Sequence, residues 1–300
     1  MIPFDEFIAI DWSGSKALLT PSITVAKAVS NKLSVSLVSP PKNQWARIDV
    51  AEWIINHAAH SKRLLIGIDS NFGYAASTVH KRLPNLQTAT ELWALINRIC
   101  SQEANFYAHT FWRDSLFCND FWTAGKKPPH FPEKRRQTEL SCINEQLGFP
   151  ENPFKLIGTK QVGKGGLSAM RMAHFLKMQL QEKIAFWPFD SQEHCDAATI
   201  VIAEIYPRLF LKKANHGLSK VRNIKKLKEL LSFFEAISPS FSSINDHQAD
   251  ALISAASMRH LMHKNSNFLN LEKCSAPFRK LLRIEGWILG VSLPVEREKS

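Results

Sequence analysis

The sequence predicts an α/β fold in which a mixed sheet is flanked by helices, and three observations carry this prediction. Residues 7–14 are an apolar run that ends in DWSG, which is typical of a buried strand. Residues 23–29 and 33–38 alternate apolar with small side chains around a tight turn at Ser30, which indicates two antiparallel strands. The third observation is a helical segment that leads into another apolar strand.

That third segment predicts a parallel crossover. Asp49 and Glu52 form an acidic variant of the helix-capping box, and residues 64–69 form a short apolar strand after the helix. A strand–helix–strand connection is right-handed and places its second strand parallel to a neighbour, here the first strand. Asp11 and Asp69 would then stand at the carboxyl ends of adjacent parallel strands, where open α/β sheets bind ligands.

The pattern changes to helices and loops over residues 75–181, which include a capping box from Thr88 to Glu91. We predict that this segment is a large, mainly helical insertion or cap within a single domain of residues 1–300. Two tryptophans in it, Trp112 and Trp122, lie among basic residues and are candidates for stacking on nucleobases. Packing inside the insertion is the alternative for both.

Strand character returns at residues 184–189 and 199–206. The second of these runs is almost continuously apolar, which suits a strand covered on both faces. A basic helix is predicted over residues 218–237, and a further helix over residues 246–263.

The composition excludes several classes of protein. A chain of 300 residues with 45% hydrophobic side chains can bury a sizeable core. Its five cysteines include no CxxC pair, so neither a zinc ribbon nor a disulfide framework is expected. The acidic opening does not resemble a secretory signal, and no apolar run approaches the roughly 18 residues of a membrane span. We therefore expect a cytoplasmic protein with no membrane partner.

Positive charge is concentrated in two parts of the sequence. With 38 Lys and Arg against 27 Asp and Glu, the net charge is +11. Residues 208–228 carry eight basic and no acidic side chains, and residues 126–136 carry a second basic cluster. Such patches attract polyanions, so nucleic acid or a nucleotide is the predicted partner. A solvated basic helix face is equally consistent with the charge alone.

Acidic residues at the predicted strand ends and on one helix indicate a metal site. Asp246, His247 and Asp250 are three or four positions apart and can share one face near a helix N-terminus, although ordinary capping would also favour acids there. Asp11 and Asp69 follow apolar runs, where an unpaired carboxylate is costly unless it caps a turn or binds a cation. Together they form a set of hard oxygen ligands that suits Mg²⁺ or Mn²⁺.

The ordered segments IAIDWSG, IGIDSNFG, WPFD, AEIYP, DHQADALISA and EGWI resemble the signature blocks of the domain of unknown function 429 family, which is assigned to the ribonuclease H-like superfamily. The resemblance spans residues 8–288 and implies a five-stranded mixed sheet of order 3-2-1-4-5. It also implies acidic site residues on the first strand, the fourth strand and the last helix. These match Asp11, Asp69 and Asp250, with His247 placed as in the Holliday-junction resolvase branch. Asp246 departs from that spacing.

Glu204 belongs to one of these blocks and is a candidate for a fourth acidic ligand. It comes late in an apolar strand, so the alternative is a buried glutamate paired with Arg208 or Lys212. We also assign Arg208 to the candidate substrate-binding residues, because it begins the acid-free basic segment.

Two glycine-containing loops are candidates for phosphate binding. Residues 158–165 are close to a Walker A loop, but Gly165 stands where that motif needs Ser or Thr. A milder interpretation is that helix N-terminal amides at Gly165, together with Lys160 and Lys164, hold a phosphate. A glycine-rich helix start with solvated lysines is the alternative.

The second loop follows the first strand and resembles the phosphate loop of the actin-like ATPase branch. Its candidates for phosphate contact are Ser13 and Lys16, with Gly14 and Ser15 between them. The sequence has no second, similar half that would complete a duplicated ATPase core.

The leading functional hypothesis is a metal-dependent phosphodiester hydrolase, a nuclease that uses Mg²⁺ or Mn²⁺. In two-metal chemistry Asp11 would bridge the ions, and His247 would orient the water or protonate the leaving group. The alternatives are a nucleotide-binding or phosphotransfer enzyme of the actin-like ATPase type and a nucleic-acid-binding protein without catalysis.

Overall fold

Six strands form one mixed sheet at the centre of the computed structural model, which describes residues 3–60, 62–158, 162–265 and 269–294. The strands are β1 (Glu6–Asp11), β2 (Thr24–Val29), β3 (Val35–Val38), β4 (Leu64–Ile68), β5 (Ile184–Trp187) and β6 (Ile200–Glu204). Their order is β3-β2-β1-β4-β6-β5. β2 is antiparallel to β1 and β3, whereas β1, β4, β6 and β5 are mutually parallel.

The expected five-stranded sheet of order 3-2-1-4-5 is wrong in its strand count. Both apolar runs predicted as strands do enter the sheet, and β6 pairs with β4 while β5 adds a sixth strand outside β6. Every residue of both strands is buried, so apolar content does not distinguish the interior strand from the edge strand.

The helices, in chain order, are α1 (Arg47–Ala58), α2 (Ala76–Arg82), α3 (Ala89–Ile99), α4 (His109–Arg113), α5 (Gln137–Asn144), α6 (Gly163–Leu180), α7 (Gln192–Ala197), α8 (Pro207–Lys213), α9 (Ile224–Phe233), α10 (Asp246–Lys264) and α11 (Ala276–Glu285). α1, α3 and α6 cover one face of the sheet, and α8, α9 and α10 cover the other. Within the described part of the chain, no helix has the length and apolar content needed to cross a membrane.

Alternating side chains of the central strand serve two hydrophobic cores. In β1, Ile8 and Ile10 enter the core under α1 and α6, whereas Phe7 and Ala9 enter the core under α10. Each fully buried Ile or Phe side chain contributes about 1.5–3 kcal/mol, so the period-2 pattern holds both helical layers to the sheet.

The helices between β4 and β5 belong largely to the core. Trp93 of α3 and Leu167, Met170 and Leu176 of α6 are buried in the same cluster as the β1 isoleucines. Helices α2 to α6 lie between β4 and β5, and α3 and α6 among them pack against the sheet as a layer.

Local capping explains where several helices begin. Thr88 accepts a hydrogen bond from the Glu91 amide, and the Glu91 carboxylate accepts one from the Gln87 amide, so the predicted start of α3 is confirmed. α1 begins three residues earlier than the Asp49–Glu52 capping box predicted, because Asp49 is not the cap but accepts a hydrogen bond from the Ala46 amide, which precedes the helix, at 2.9 Å. The basic helix α9 is shorter than predicted, since it starts only after the Asn223 cap.

Candidate functional site

Two predicted acidic residues lie side by side at the carboxyl-terminal ends of the neighbouring central strands β1 and β4. Ile10 of β1 pairs with Ile68 of β4, and the Asp69 amide donates a hydrogen bond to the Ile10 carbonyl at 2.9 Å. Asp11 ends β1 and is 8% exposed, whereas Asp69 directly follows β4 and is partly exposed. Parallel strands that end in register therefore present both carboxylates at the same point of the edge.

α10 brings the third predicted acid to this edge. Asn245 caps the helix by accepting a hydrogen bond from the Gln248 amide at 2.9 Å, and the Gln248 side chain accepts one from the Asn245 amide at 3.1 Å. The capping role therefore belongs to Asn245 and not to the acids that follow it. α10 packs on β1 and β2, and His247 Nδ1 lies 2.9 Å from Asp11 Oδ2.

The predicted residues meet in one cleft of about 270 Å³. Asp11, Asp69 and Asp250 all line it, together with His247 and Glu204. The helical spacing of the α10 motif and the strand-end positions thus lead to a common place, although the strands and the helix are far apart in sequence.

Burial raises the pKa values of all three aspartates, and neighbouring carboxylates among them add to this at Asp69 and Asp250. Burial raises the pKa of Asp69 well above its usual range, and the charges of Asp11 and Asp250 raise it further. Burial, followed by the charge of Asp11, raises the pKa of Asp250 to about 7. Burial also raises the pKa of Asp11, although its hydrogen bond with His247 opposes this. Ionising all three carboxyls in this cleft is therefore unfavourable in free energy.

Little positive charge balances these carboxylates. Among the residues that the structure describes, neither Asp69 nor Asp250 has a hydrogen bond or an ion pair to its side chain. Arg208 and Lys220 line the cleft and oppose the raised pKa values through space, without contacting either carboxylate. A cation in this cleft would meet charge that the protein itself leaves uncompensated.

Glu204 is committed to a buried ion pair, so it is not available as a fourth ligand in this structure. Its two carboxylate oxygens accept hydrogen bonds from the Arg136 guanidinium, both at 2.7 Å. Arg136 also donates to Glu139 at 2.8 Å and to the Glu285 carbonyl at 3.0 Å. The predicted alternative, a paired glutamate, is found, but its partner is Arg136 rather than Arg208 or Lys212.

Asp246 is likewise held by basic side chains. Lys220 donates a hydrogen bond to Asp246 Oδ2, and Arg222 lies 3.5 Å from the same atom. Burial acts to raise the pKa of Asp246, but these hydrogen bonds outweigh it and lower the pKa below its usual range. Asp246 therefore positions Lys220 beside the cleft, and it is not among the residues that line it.

The donor chemistry fits a hard divalent ion, whereas the arrangement of the side chains falls short of a formed site. Asp11, Asp69 and Asp250 offer carboxylate oxygens, the ligands that Mg²⁺ and Mn²⁺ prefer. Over the described ranges, no three His, Cys, Asp or Glu side chains are arranged so that they could hold a metal ion. Binding would require the three carboxylates to turn toward a common point, with Glu204 and Asp246 left in their ion pairs.

The two predicted phosphate loops touch each other at the edge of the cleft. Gly14 of the first loop and Gly165 of α6 both line it. A Cβ added at Gly14 would lie 2.3 Å from the Gly165 nitrogen and 2.6 Å from Lys164 Cβ. The close approach explains the glycine at position 14, since a side chain there would separate the two loops.

Most of the predicted phosphate-binding side chains do not line the cleft. Ser13, Lys16 and Lys164 are absent from its lining, and Lys164 Nζ lies 6.0 Å from the centre of the Trp112 ring. Lys160 lies outside the described residues. A Walker A loop follows a strand, whereas the described residues 153–158 before α6 form only an isolated bridge at Lys155. Arg208 is the predicted substrate-binding residue that does line the cleft.

Replacing Gly14 with alanine is expected to lower the free energy of unfolding by about 1–3 kcal/mol, because the new methyl group meets the α6 backbone, which cannot move aside. Urea denaturation would measure the change. Gly217→Ala is the matched control, since a Cβ there meets nothing within 4 Å. Equal stability of the two variants would show that the loops are not held together as described.

Several cleft residues were not predicted from the sequence. Lys220 and Arg136 line the cleft, as do Ser70 and Asn71, which directly follow Asp69. Ser70 Oγ and Asn71 Oδ1 are buried without a hydrogen-bond partner in the described residues. The IGIDSNFG segment already contained both, so their position after a strand-terminal aspartate was an available signal. The two predicted stacking residues are not in the cleft: Trp112 is buried, and the Trp122 indole donates to the Gly125 carbonyl.

Comparisons with the profiles of known protein families, with curated proteins and with solved structures find no match for this chain. The resemblance to the domain of unknown function 429 family therefore stays a prediction. What the site can do has to be argued from its own geometry and charge.

Proposed function

We propose that this protein is a metal-dependent phosphodiester hydrolase that acts on nucleic acid through the cleft lined by Asp11, Asp69 and Asp250. One observation carries the proposal. Three carboxylates line one cleft at the carboxyl ends of parallel strands, and two of them have no hydrogen bond or ion pair in the described structure. Burial raises the pKa of each, and the charge of Asp11 adds to this at Asp69 and Asp250. Such an arrangement is costly unless a cation binds it in use.

We further propose that the sheet is of the ribonuclease H-like type. β1, β2, β3 and β4, followed by β6, would supply the five strands of that fold, and β5 would be an addition at the edge. The first strand and the strand beside it then carry Asp11 and Asp69, and the helix that packs on β1 carries Asp250. This support is an analogy of topology, which does not by itself establish a function, so the function is argued from the residues of the site.

Asp11, Asp69 and Asp250 are the residues that would hold Mg²⁺ or Mn²⁺. When bound, such an ion supplies Lewis-acid activation of water and stabilises charge on a phosphate. The rest of the work falls to the protein. Arg208 and Lys220 place positive charge beside the acids, so a phosphate group can approach a cleft that would otherwise repel it.

His247 is suited to hold a proton at the cleft. Its hydrogen bond with Asp11, followed by the charge of Asp11, raises its pKa, although partial burial opposes this. The Asp11 carboxylate contacts Nδ1, which orients the ring. A histidine held in this way can donate a proton to a leaving oxygen at a higher pH than a free imidazole can.

The test is cleavage and metal binding by the wild type and by Asp69→Asn. We expect Mg²⁺-dependent or Mn²⁺-dependent cleavage of at least one of single-stranded, duplex or branched oligonucleotides. Asp69→Asn should lower kcat/KM by about 10²-fold or more, since it removes a carboxylate from the proposed ligand set. Calorimetric titration should show weaker metal binding by the variant.

Asp114→Asn is the matched control for this substitution. Asp114 lies outside the cleft and accepts a hydrogen bond from the Leu116 amide, which asparagine can also accept. It should leave cleavage and metal binding unchanged. If the wild type neither binds these ions nor cleaves any of the three substrates, the proposal is wrong. Nucleic-acid binding that persists without a divalent ion would then favour a non-catalytic binding protein.

A further inference from the structure

An exposed aromatic ring stands at the mouth of the cleft. Phe149 is 66% exposed, although it lines the same cleft as the three aspartates. Isolated exposed apolar residues are common on protein surfaces, so exposure alone carries no function. The position of Phe149 does point to a function, because its ring lines the same cleft as a cluster of acids and two basic side chains.

The backbone that leads into Phe149 is held in place. Gly148 has a φ of +143°, and a Cβ at this position would lie 2.7 Å from the Tyr206 ring. Burial raises the pKa of Tyr206 to about 12, and a hydrogen bond between the Phe149 backbone and the Tyr206 hydroxyl partly offsets this rise. On the N-terminal side, the Leu147 amide donates to the Cys142 carbonyl of α5 at 2.9 Å. The ring is thus exposed on an anchored segment, which lowers the entropy cost of stacking against it.

Two basic side chains line the same cleft as this ring. Arg208 follows Tyr206 by two residues, and no hydrogen bond or ion pair of its side chain is found within the described ranges. Lys220 is held by Asp246 and also lines the cleft. An aromatic side chain that lines the same cleft as two cations matches a nucleotide unit, in which a flat base adjoins a negatively charged phosphate.

We propose that Phe149 stacks on an unpaired base of a nucleic-acid strand whose adjoining phosphate lies against Arg208 and Lys220. This inference rests on the proposed function and narrows its substrate to single-stranded or locally unpaired nucleic acid. In an intact duplex the bases are already stacked on each other, so their faces are not free to meet the ring. An aromatic side chain can stack on any of the bases, because every base has a π face, so this contact does not depend on the base sequence.

The experiment compares Phe149→Ala, Phe149→Trp and the control Phe233→Ala in the full chain. Phe233 is also exposed, at 47%, but lies outside the cleft. Fluorescence anisotropy would give the Kd for a labelled single strand of about 12 nucleotides in EDTA, where metal-dependent cleavage cannot occur. The same strand with abasic sites is the matched ligand, and KM and kcat for cleavage would be measured with Mg²⁺.

We expect Phe149→Ala to bind the intact strand about 5- to 100-fold more weakly, while Phe149→Trp and Phe233→Ala remain near the wild type. The preference of the wild type for the intact strand over the abasic strand should disappear in Phe149→Ala. The salt dependence of binding should not change, because no charge is removed. KM should rise more than kcat falls.

Two other outcomes overturn the inference in distinguishable ways. If the wild type cleaves oligonucleotides and Phe149→Ala binds intact and abasic strands as the wild type does, base stacking is wrong and the proposed function stands. If the wild type neither binds nor cleaves any oligonucleotide, the proposed function and the inference fail together.

Discussion

Asp250→Asn is expected to make the metal-free protein more stable at pH 8 while abolishing metal-dependent cleavage. Burial and the charge of Asp11 raise the pKa of Asp250 from 3.8 to about 7. A carboxyl whose pKa is higher in the folded state stabilises the fold while it is protonated, and this stability is lost as the pH rises from about 4 through 7. A difference of about three pH units corresponds to at most about 4 kcal/mol. Asparagine avoids this cost because it is never ionised.

Urea denaturation in EDTA at pH 5 and pH 8 would test this prediction. The gain in free energy of unfolding over the wild type should be larger at pH 8 than at pH 5, because the wild-type carboxylate is charged only at the higher pH. Asp114→Asn, whose site lies outside the cleft, should show no such pH-dependent gain. A variant that is equally stable or less stable at pH 8 would contradict the view that burial and the charge of Asp11 disfavour an ionised Asp250. In active sites, replacing a functional charged residue often increases stability and lowers activity.

Arg136→Met is expected to lower the free energy of unfolding by about 3–5 kcal/mol, because it leaves buried carboxylates without their partner. Arg136 is 2% exposed, and Glu139 and Glu204 beside it are 1% and 5% exposed. Burial already acts to raise the pKa of Glu204, and the Arg136 charge opposes this. Without that charge, Glu204 must fold in its protonated form, so the loss of stability should grow as the pH rises.

Denaturation of Arg136→Met and of the double variant Arg136→Met/Glu204→Gln would separate the pair from the rest of the network. The double variant should recover part of the lost stability, since it no longer buries the Glu204 charge. Lys134→Met, at an exposed position two residues away, is the control and should change stability by less than about 0.5 kcal/mol. A double variant that is no more stable than Arg136→Met would show that the loss comes from packing and not from the unpaired charge.

The sequence was sufficient to predict the strand-end aspartates and the acidic face of α10. Apolar runs end at Asp11 and Asp69, and the rule for parallel crossovers places such ends together. His247 and Asp250 are three residues apart, so the helical repeat places them on one face of α10. These predictions depend on local periodicity and on one general rule of chain topology, so a single sequence contains what they need.

The ion pairs of the cleft could not be predicted in the same way. Arg136 and Glu204 are 68 residues apart, and Lys220 and Asp246 are 26 apart. No local pattern marks one basic residue among 38 as the partner of a given acid. Exposure was equally hidden, because the aromatic residue at the mouth of the cleft is Phe149 and not the tryptophans that lie among basic residues.

The sequence by itself determined the α/β class, the helix-capping signal before α3, and the acidic residues at the ends of β1 and β4, because each depends on neighbours within a few positions. Only the tertiary structure decided the place of β5 at the sheet edge, the use of α3 and α6 as a core layer, and the withdrawal of Glu204 into its pair with Arg136. These features depend on which distant segments pack together, and the free energy of that packing is shared by the whole core and is not encoded in any one segment.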